Sequence, residues 1–351
     1  MEIPFFPLIK IFSLSTLSFL IALIWVPFLI RFLKKHNMGK QIRESDSTPI
    51  FSKMHQIKSG TPTMGGILIW GTTLILIFLF FCLAKLTHLP IFEQLNFLTQ
   101  RETLLPLGAL IASALVGIGD DYLNVKKIGS HGGGLKVKHR LIIYTLIACF
   151  GALWFYFKLS WSTIHIPFFG NYDIGYLWYS LLFIFVMIAT AFSVNEIDGL
   201  DGLAGGTLLF SFVAFGVIAF VLERVNLATF CGVISGALLA FLWFNVYPAK
   251  FFMGDTGAMS LGITLGIIAM LTNTFLLLPI IGFLFMIESL SVIVQISSKK
   301  FLHKKVFLSS PIHHHLEARG WLEPQIVMRF WIIAGVTAII GLIIFLVDKG
   351  I

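Results

Sequence analysis

The sequence predicts an all-α, polytopic integral membrane protein with about ten transmembrane helices and both termini on the extracytoplasmic side. Three observations carry that expectation. Of 351 residues, 57% are hydrophobic and only 12% are charged, against roughly 25% charged in a soluble globular chain. Phe alone occurs 36 times and mean hydropathy is +0.92, with apolar runs that approach the ~20 residues a helix needs to cross the bilayer core. Finally, the basic residues gather in alternate connecting segments, the signature of cytoplasmic loops.

The first run, 11–33, follows no basic region and no small-residue cleavage site, so it is expected to remain as a helix rather than leave as a signal peptide. Segment 31–63 then carries seven Lys and Arg before runs at 64–84 and 103–119. Segment 120–140 carries five more and leads into runs at 140–158 and 176–194. Runs at 203–222 and 226–247 come next, then segment 248–256 with one basic residue and runs at 257–272 and 274–297. Segment 297–329 holds six and precedes the last run, 327–347. These segments fall on one face and hold 19 of the 25 Lys and Arg. Cytoplasmic loops are therefore expected near 34–63, 120–140, 194–203, 248–256 and 298–326, in a single integral membrane domain over 1–351. The net charge of +8 belongs to those loops, so nucleic acid is not an expected partner. Cys82, Cys149 and Cys231 all lie inside apolar runs, where they are expected to pack rather than to form disulfides or bind metal.

One segment of the basic face breaks the pattern: 194–203, VNEIDGLDGL, has Glu196, Asp198 and Asp201 and no basic residue. With Asp120, Asp121 and Asp255, five aspartates from three loops are placed to converge at the cytoplasmic membrane boundary. Carboxylates at that depth are costly and usually functional. Clustered carboxylates repel one another unless a cation holds them, and oxygen donors without cysteine suit Mg²⁺, which takes one or two carboxylates together with phosphate oxygens. A phosphorylated substrate follows. Lys136, Lys138 and Arg140, beside the Gly129 to Gly134 run, and the histidines His313, His314 and His315 could contact phosphate. Taken singly, each feature has a plainer meaning: Asp120-Asp121 could end a helix on a solvated face, the glycines could be a linker, and the histidines a solvated loop. Glu288 and Gln295, seven apart in the ninth run, lie on one helical face and are expected to point into the bundle, as a structural or a functional pair.

Five motifs together resemble the phospho-N-acetylmuramoyl-pentapeptide transferase (translocase I) family, within the polyprenyl-phosphate N-acetylhexosamine-1-phosphate transferase superfamily. They are GTPTMGG at 60–66, GIGDDY at 117–122, VNEIDGLDGLAGG at 194–206, FLWFNVYPAKFFMGDTG at 241–257 and SPIHHHLEARGW at 310–321. The resemblance implies transfer of phospho-MurNAc-pentapeptide from UDP-MurNAc-pentapeptide to undecaprenyl phosphate, giving lipid I and UMP, with Mg²⁺, ten helices and a homodimer in the bacterial inner membrane. It further implies that Asp255 holds the metal and that Asp120 and Asp121 act on the lipid phosphate. Asn195, Asp198 and Asp201 would serve the nucleotide and diphosphate, Phe252 and Asn245 the uracil, and His313, His314 and His315 the sugar phosphate. Lys138 or Arg140 would fill the family's basic position. The chain departs from the usual pattern at Asn124, where the family has Lys, and at Phe192, where it has Asn.

Three other functions are weighed against this one. A sister transferase using UDP-GlcNAc or a related UDP-HexNAc is disfavoured by the intact PIHHHLEARGW segment. An ion-coupled transporter needs polar residues at mid-membrane, whereas here nearly all lie at one face. A CDP-alcohol phosphotransferase would share the Asp-rich logic, but DGLDGL lacks its DG-x-x-AR arrangement.

Overall fold

A computed structural model describes residues 5–40, 58–129 and 133–351. Residues 41–57 of the first basic segment and Ser130, His131 and Gly132 of the glycine run lie outside the described residues, as do residues 1–4. Each of the ten apolar runs falls on helix. The helices are α1 (Phe5–Lys35), α2 (Gly66–Thr87), α3 (Pro90–Leu95), α4 (Leu104–Val125), α5 (Val137–Trp154), α6 (Gly175–Ile197) and α7 (Leu203–Val221). They continue with α8 (Val225–Asn245), α9 (Asp255–Leu271), α10 (Leu278–Ile281), α11 (Phe283–Phe301), α12 (Ile312–Ala318) and α13 (Glu323–Lys349). Among the described residues eight helices are long and apolar enough to cross a membrane, or nine if the bent pair α10–α11 is one span. The chain is a multi-pass membrane protein. Its outward faces carry large apolar side chains such as Ile24, Phe78, Phe150 and Ile332, exposed as lipid contact requires.

The remaining run is α9, of 17 residues, buried along almost its whole length. At 1.5 Å per residue it is roughly 25 Å long, shorter than the ~30 Å hydrocarbon core. It can be short because it is the central post of the bundle, packed chiefly against α4 and α6 and also touching α2 and α7. The close approach depends on glycine. A Cβ on Gly117 of α4 would lie 2.4 Å from the Thr256 Cα, and one on Gly66 of α2 would lie 2.2 Å from the Gly257 Cα; small residues at such crossings let membrane helices approach backbone to backbone. Around this post, α1 lies along α8, α8 along α7, and α7 along α13, while α6 carries α5 and α11.

The ninth run is interrupted at Gly282, where α10 and α11 meet at 82°. One face of α11 then becomes a bracket. Ser289 Oγ donates to Ser193 Oγ of α6 at 2.6 Å, and Gln295 accepts from the Val306 and Phe307 amides while donating to the Phe307 carbonyl. The inward direction expected for Gln295 and Glu288 is observed, and Gln295 works as a structural brace.

Two boundaries differ from expectation in a way that matters. Asp120 and Asp121 were expected in a loop beginning at 120, yet α4 continues to Val125 and keeps both carboxylates within helix. Lys138 and Arg140 were expected at the edge of the same loop and instead belong to the first turn of α5. Charges normally end an apolar helix because water must reach them; here the buried carboxylates find partners inside the protein.

An antiparallel hairpin, β1 (Thr163–Ile166) and β2 (Gly170–Asp173), pairs Thr163 with Asp173 and Ile166 with Gly170. It joins the far end of α5 to α6. Asp348, near the end of α13, accepts from the Phe168 amide at 2.6 Å and pairs with His165 at 2.6 Å. The end of α13 therefore lies beside the hairpin, at the end of α6 away from Asp198.

Candidate active site

The start of α9 organises the carboxylates. Gly254, at φ +74, turns the chain so that the first α9 amides point at α4. Asp121 receives them, Oδ1 accepting from the Asp255 amide and Oδ2 from the Thr256 amide, both at 3.1 Å. A carboxylate there satisfies orphan donors and meets the positive end of the helix dipole. Thr256 Oγ1 donates to the Ala114 carbonyl at 2.9 Å and accepts from Trp70 Nε1 at 3.2 Å, so α9 is held to both α4 and α2. Gly65 and Gly66 donate to the carbonyls of Phe252 and Met253 at 2.7 and 2.8 Å, and the Phe252 amide donates to the Pro62 carbonyl at 2.8 Å. The 60–66 motif thus runs along the segment before Asp255 and fixes it.

Asp120, one residue earlier, faces elsewhere. It is fully buried, accepts from the Leu135 amide at 2.6 Å, and forms an ion pair with Arg140 Nη2 at 2.6 Å. The same Nη2 donates to Asp255 Oδ2 at 2.8 Å, and Nη1 donates to Asn195 Oδ1 at 2.9 Å. Asn195 Nδ2 completes the ring by donating to Asp255 Oδ1 at 2.6 Å. Helices α4, α5, α6 and α9 each supply one member. Asp255 is the carboxylate with a way out, its side chain being 12% exposed while that of Asp120 is 0% exposed. Lys138, the alternative basic residue, is exposed and lies at the end of an open groove of about 450 Å³ lined by Leu141, Ile142, Thr145 and Leu146.

A second group lies across the mouth. Asp198, which follows α6, has its pKa pushed up to about 6, chiefly by burial; nearby Lys40 opposes that shift and Asp255 adds to it. Lys40 Nζ lies 5.4 Å from the Phe252 ring centre, so that half-buried ring has one face on a cation. Asn245 is buried and occupied at both ends, accepting from the Gly202 amide at 3.0 Å and donating to the Phe251 carbonyl at 2.8 Å. Asp201 accepts from Lys58 Nζ at 2.6 Å and from the Ala249 amide at 2.9 Å. Glu323, the first residue of α13, also takes Lys58 and accepts from the Asp201 amide at 2.7 Å. Lys58, Lys40 and Glu323 were not singled out from sequence. Their only signal was position: Lys58 stands two residues before GTPTMGG and Glu323 two after the last motif.

The three histidines point in different directions. His313 is fully buried with Nδ1 3.0 Å from Glu288 Oε2. His314 Nδ1 lies 2.6 Å from Glu317 Oε2, and His315 Nδ1 accepts from the Leu308 amide at 3.1 Å. Asn124 and Phe192 stand near the ends of α4 and α6, outside the Arg140 ring.

Among the described residues no cluster of three His, Cys, Asp or Glu forms a ready metal cage, because the Arg140 guanidinium bridges Asp120 and Asp255. The donor set nevertheless fits Mg²⁺. Asp120, Asp121, Asp198 and Asp255 outnumber Arg140 and Lys40, and Mg²⁺ takes one or two carboxylates and completes its shell with water and phosphate oxygens rather than with protein alone. An anionic diphosphate entering here would find two protein cations, Arg140 and Lys40, beside an open carboxylate, Asp255. That is the equipment of phosphoryl transfer, where positioning and charge stabilisation do most of the chemistry.

Comparison with known proteins agrees. The family described as Glycosyl transferase family 4 matches residues 103–273, and phospho-N-acetylmuramoyl-pentapeptide-transferase signature 1 matches residues 58–69. Three relatives, each called phospho-N-acetylmuramoyl-pentapeptide-transferase, align along nearly the whole chain. The one from Chloroflexus aggregans is 37% identical over 342 residues, covering 94% of this chain and 88% of its own. That from Shouchella clausii is 41% identical over 334 residues, covering 93% and 95%. That from Bacillus subtilis is 37% identical over 332 residues, again covering 93% and 95%. With its carboxylate cluster, its bundle of apolar helices and this similarity from end to end, the chain belongs to the phospho-N-acetylmuramoyl-pentapeptide-transferase family.

Proposed function

We propose that this enzyme transfers phospho-MurNAc-pentapeptide from UDP-MurNAc-pentapeptide to undecaprenyl phosphate, releasing UMP and forming lipid I, the first membrane step of peptidoglycan synthesis. The observation that carries the reading is the ring of Asp120, Arg140, Asn195 and Asp255 at the start of α9. The excess of basic residues in the segments on that side supports a cytoplasmic active site in a bacterial inner membrane, with both termini outside. Family membership supports a homodimer of ten-span subunits.

Undecaprenyl phosphate is already an anionic oxygen nucleophile, so one direct attack on the donor's β-phosphate suffices and an aspartyl-phosphate would solve no chemical problem. Asp120 positions or deprotonates the acceptor phosphate, and Arg140, released toward the phosphates, offers a planar fork suited to them. Asp121 keeps α9 in register by holding its first amides. Asp198, Asp201 and the half-buried Phe252 border the space for the nucleotide, with Asn245 bracing the loop behind it. Lys138, at the end of the apolar groove along α5, gives the lipid acceptor a cation beside an apolar wall. Asp255, the open carboxylate, would hold Mg²⁺ with Asp120 beside it. When bound, the metal supplies neutralisation of the diphosphate and of the departing UMP.

The test is product analysis. Purified protein, labelled UDP-MurNAc-pentapeptide, undecaprenyl phosphate and Mg²⁺ should give a butanol-soluble labelled lipid and one UMP for each lipid formed. UDP as the nucleotide product would mean glycosyl rather than phosphoglycosyl transfer. UDP-GlcNAc turned over as fast as the MurNAc donor would move the enzyme to the sister transferases.

A further inference from the structure

The most heavily buried ionisable pair among the described residues plays no part in the reaction as described above. Glu288 of α11 and His313 of α12 are both 0% exposed, with Nδ1 3.0 Å from Oε2. Neither carboxylate oxygen and neither ring nitrogen makes a well-aligned hydrogen bond. A buried polar group without such a bond ordinarily costs stability, so the attraction between carboxylate and imidazole is the polar interaction that offsets their burial. Burial drives the His313 pKa down, but the Glu288 carboxylate, together with Glu317 and Glu196, offsets this and leaves it above its ordinary value.

The other edge of the ring decides what the pair does. A Cβ on Gly199 would lie 2.2 Å from His313 Nε2 and 3.2 Å from His314 Nε2. The imidazole therefore packs straight onto the backbone at Gly199, which separates Asp198 from Leu200 and Asp201. His314 backs His313 ring to ring at 4.0 Å, and the Glu196 carboxylate is close enough to act on it electrostatically. Behind the pair α11 is rigidly placed, tied to α6 through Ser289 and Ser193 and to the 306–307 segment through Gln295. A load path runs from α11 through Glu288 and His313 to the loop that carries two of the site's aspartates.

We infer that Glu288 and His313 are positioning residues: Glu288 holds the His313 ring against Gly199, and the ring fixes the loop that presents Asp198 and Asp201 to the nucleotide end of the donor. His313 then serves the substrate through the backbone, in place of the direct sugar-phosphate contact that the family resemblance suggested. The inference rests on the transfer reaction proposed above for the identity of the donor.

The experiment measures both substrates separately in purified full-length enzyme. Glu288→Gln and His313→Gln should each raise the KM for UDP-MurNAc-pentapeptide on the order of tenfold, the scale of a small misplacement of a binding group, and leave the KM for undecaprenyl phosphate within about twofold. The double variant should be no worse than the more damaged single variant, because both act along one path. A purely structural role would lower the active fraction without moving either KM. Unmoved donor KM in Glu288→Gln, or losses that multiply in the double variant, would overturn the inference, the latter because His313 would then contact substrate on its own. Should Glu288→Gln not fold, Glu288→Asp, which keeps the charge on a shorter arm, is read by the same two constants. Calorimetric titration with UMP reports on the nucleotide end without turnover, so wild-type enzyme that binds UMP but makes no lipid I would defeat the transfer reading alone.

Discussion

Replacing Arg140 with Gln removes the one cation among the described residues that pairs with both Asp120 and Asp255. Asp120 would keep only the Leu135 amide and Asp255 only the Asn195 amide group. Removing one partner of a buried ion pair costs about 3–5 kcal/mol because the other charge stays behind unpaired. The Arg140 side chain is 17% exposed, and water reaching it argues for the lower end, about 3 kcal/mol. In a chain of this size that corresponds to a fall in unfolding temperature of roughly 4 °C. Arg140→Lys should fall between, since an ammonium keeps the charge but cannot bridge Asp120 and Asp255 while also reaching Asn195. The assay is thermal unfolding of detergent-purified protein with and without MgCl₂. Because the variant's carboxylates have lost their resident cation, Mg²⁺ should raise its unfolding temperature by more than it raises that of the wild type. An unchanged unfolding temperature, or an equal response to Mg²⁺ in both proteins, would refute the idea that Arg140 and a metal draw on the same oxygens.

Three further outcomes are expected. Asp198 has a folded pKa of about 6 against an ordinary 3.8, so the folded state keeps a proton that the unfolded state releases. That contribution to stability is complete below about pH 4 and is lost as pH rises through about 6; Asp198→Asn should flatten this part of the melting profile, and an unaltered slope would count against the burial of Asp198. Cysteines placed at the exposed positions Lys305 and Asn171 should react with a membrane-impermeant reagent from opposite sides, Lys305 from the cytoplasm; labelling from one side would break the topology. Enzyme given donor without lipid acceptor should release no burst of UMP, whereas about one UMP per site with labelled sugar phosphate retained on denatured protein would establish a covalent route.

The positions of the helices and the grouping of the aspartates were legible because they depend on local apolar length and on charge by face. The division of labour within Asp120-Asp121 was not. Adjacent helical residues point about 100° apart, and only the packing of α9 against α4 shows that Asp121 holds amides while Asp120 meets Arg140. Lys138 and Arg140 could not be separated for a related reason. Two residues apart on a helix they face nearly opposite ways, and the choice depends on α5 beginning at Val137. The triple histidine gives one signal in sequence, yet its members meet Glu288, Glu317 and the Leu308 amide. Lys58 and Glu323, which jointly anchor Asp201, lie so far apart along the chain that no local pattern could pair them.

The most direct test of the whole account is the turnover of Asp255→Asn, measured across a full Mg²⁺ titration in protein shown by its unfolding temperature to be folded. The amide preserves shape and the contact with Asn195 but not the charge that would hold the cation. Lipid I formation should fall well below a tenth of the wild-type rate at every Mg²⁺ concentration. Retention of more than about a tenth of wild-type turnover, a loss under ~1.4 kcal/mol of transition-state stabilisation, would contradict the placement of the reaction at the start of α9.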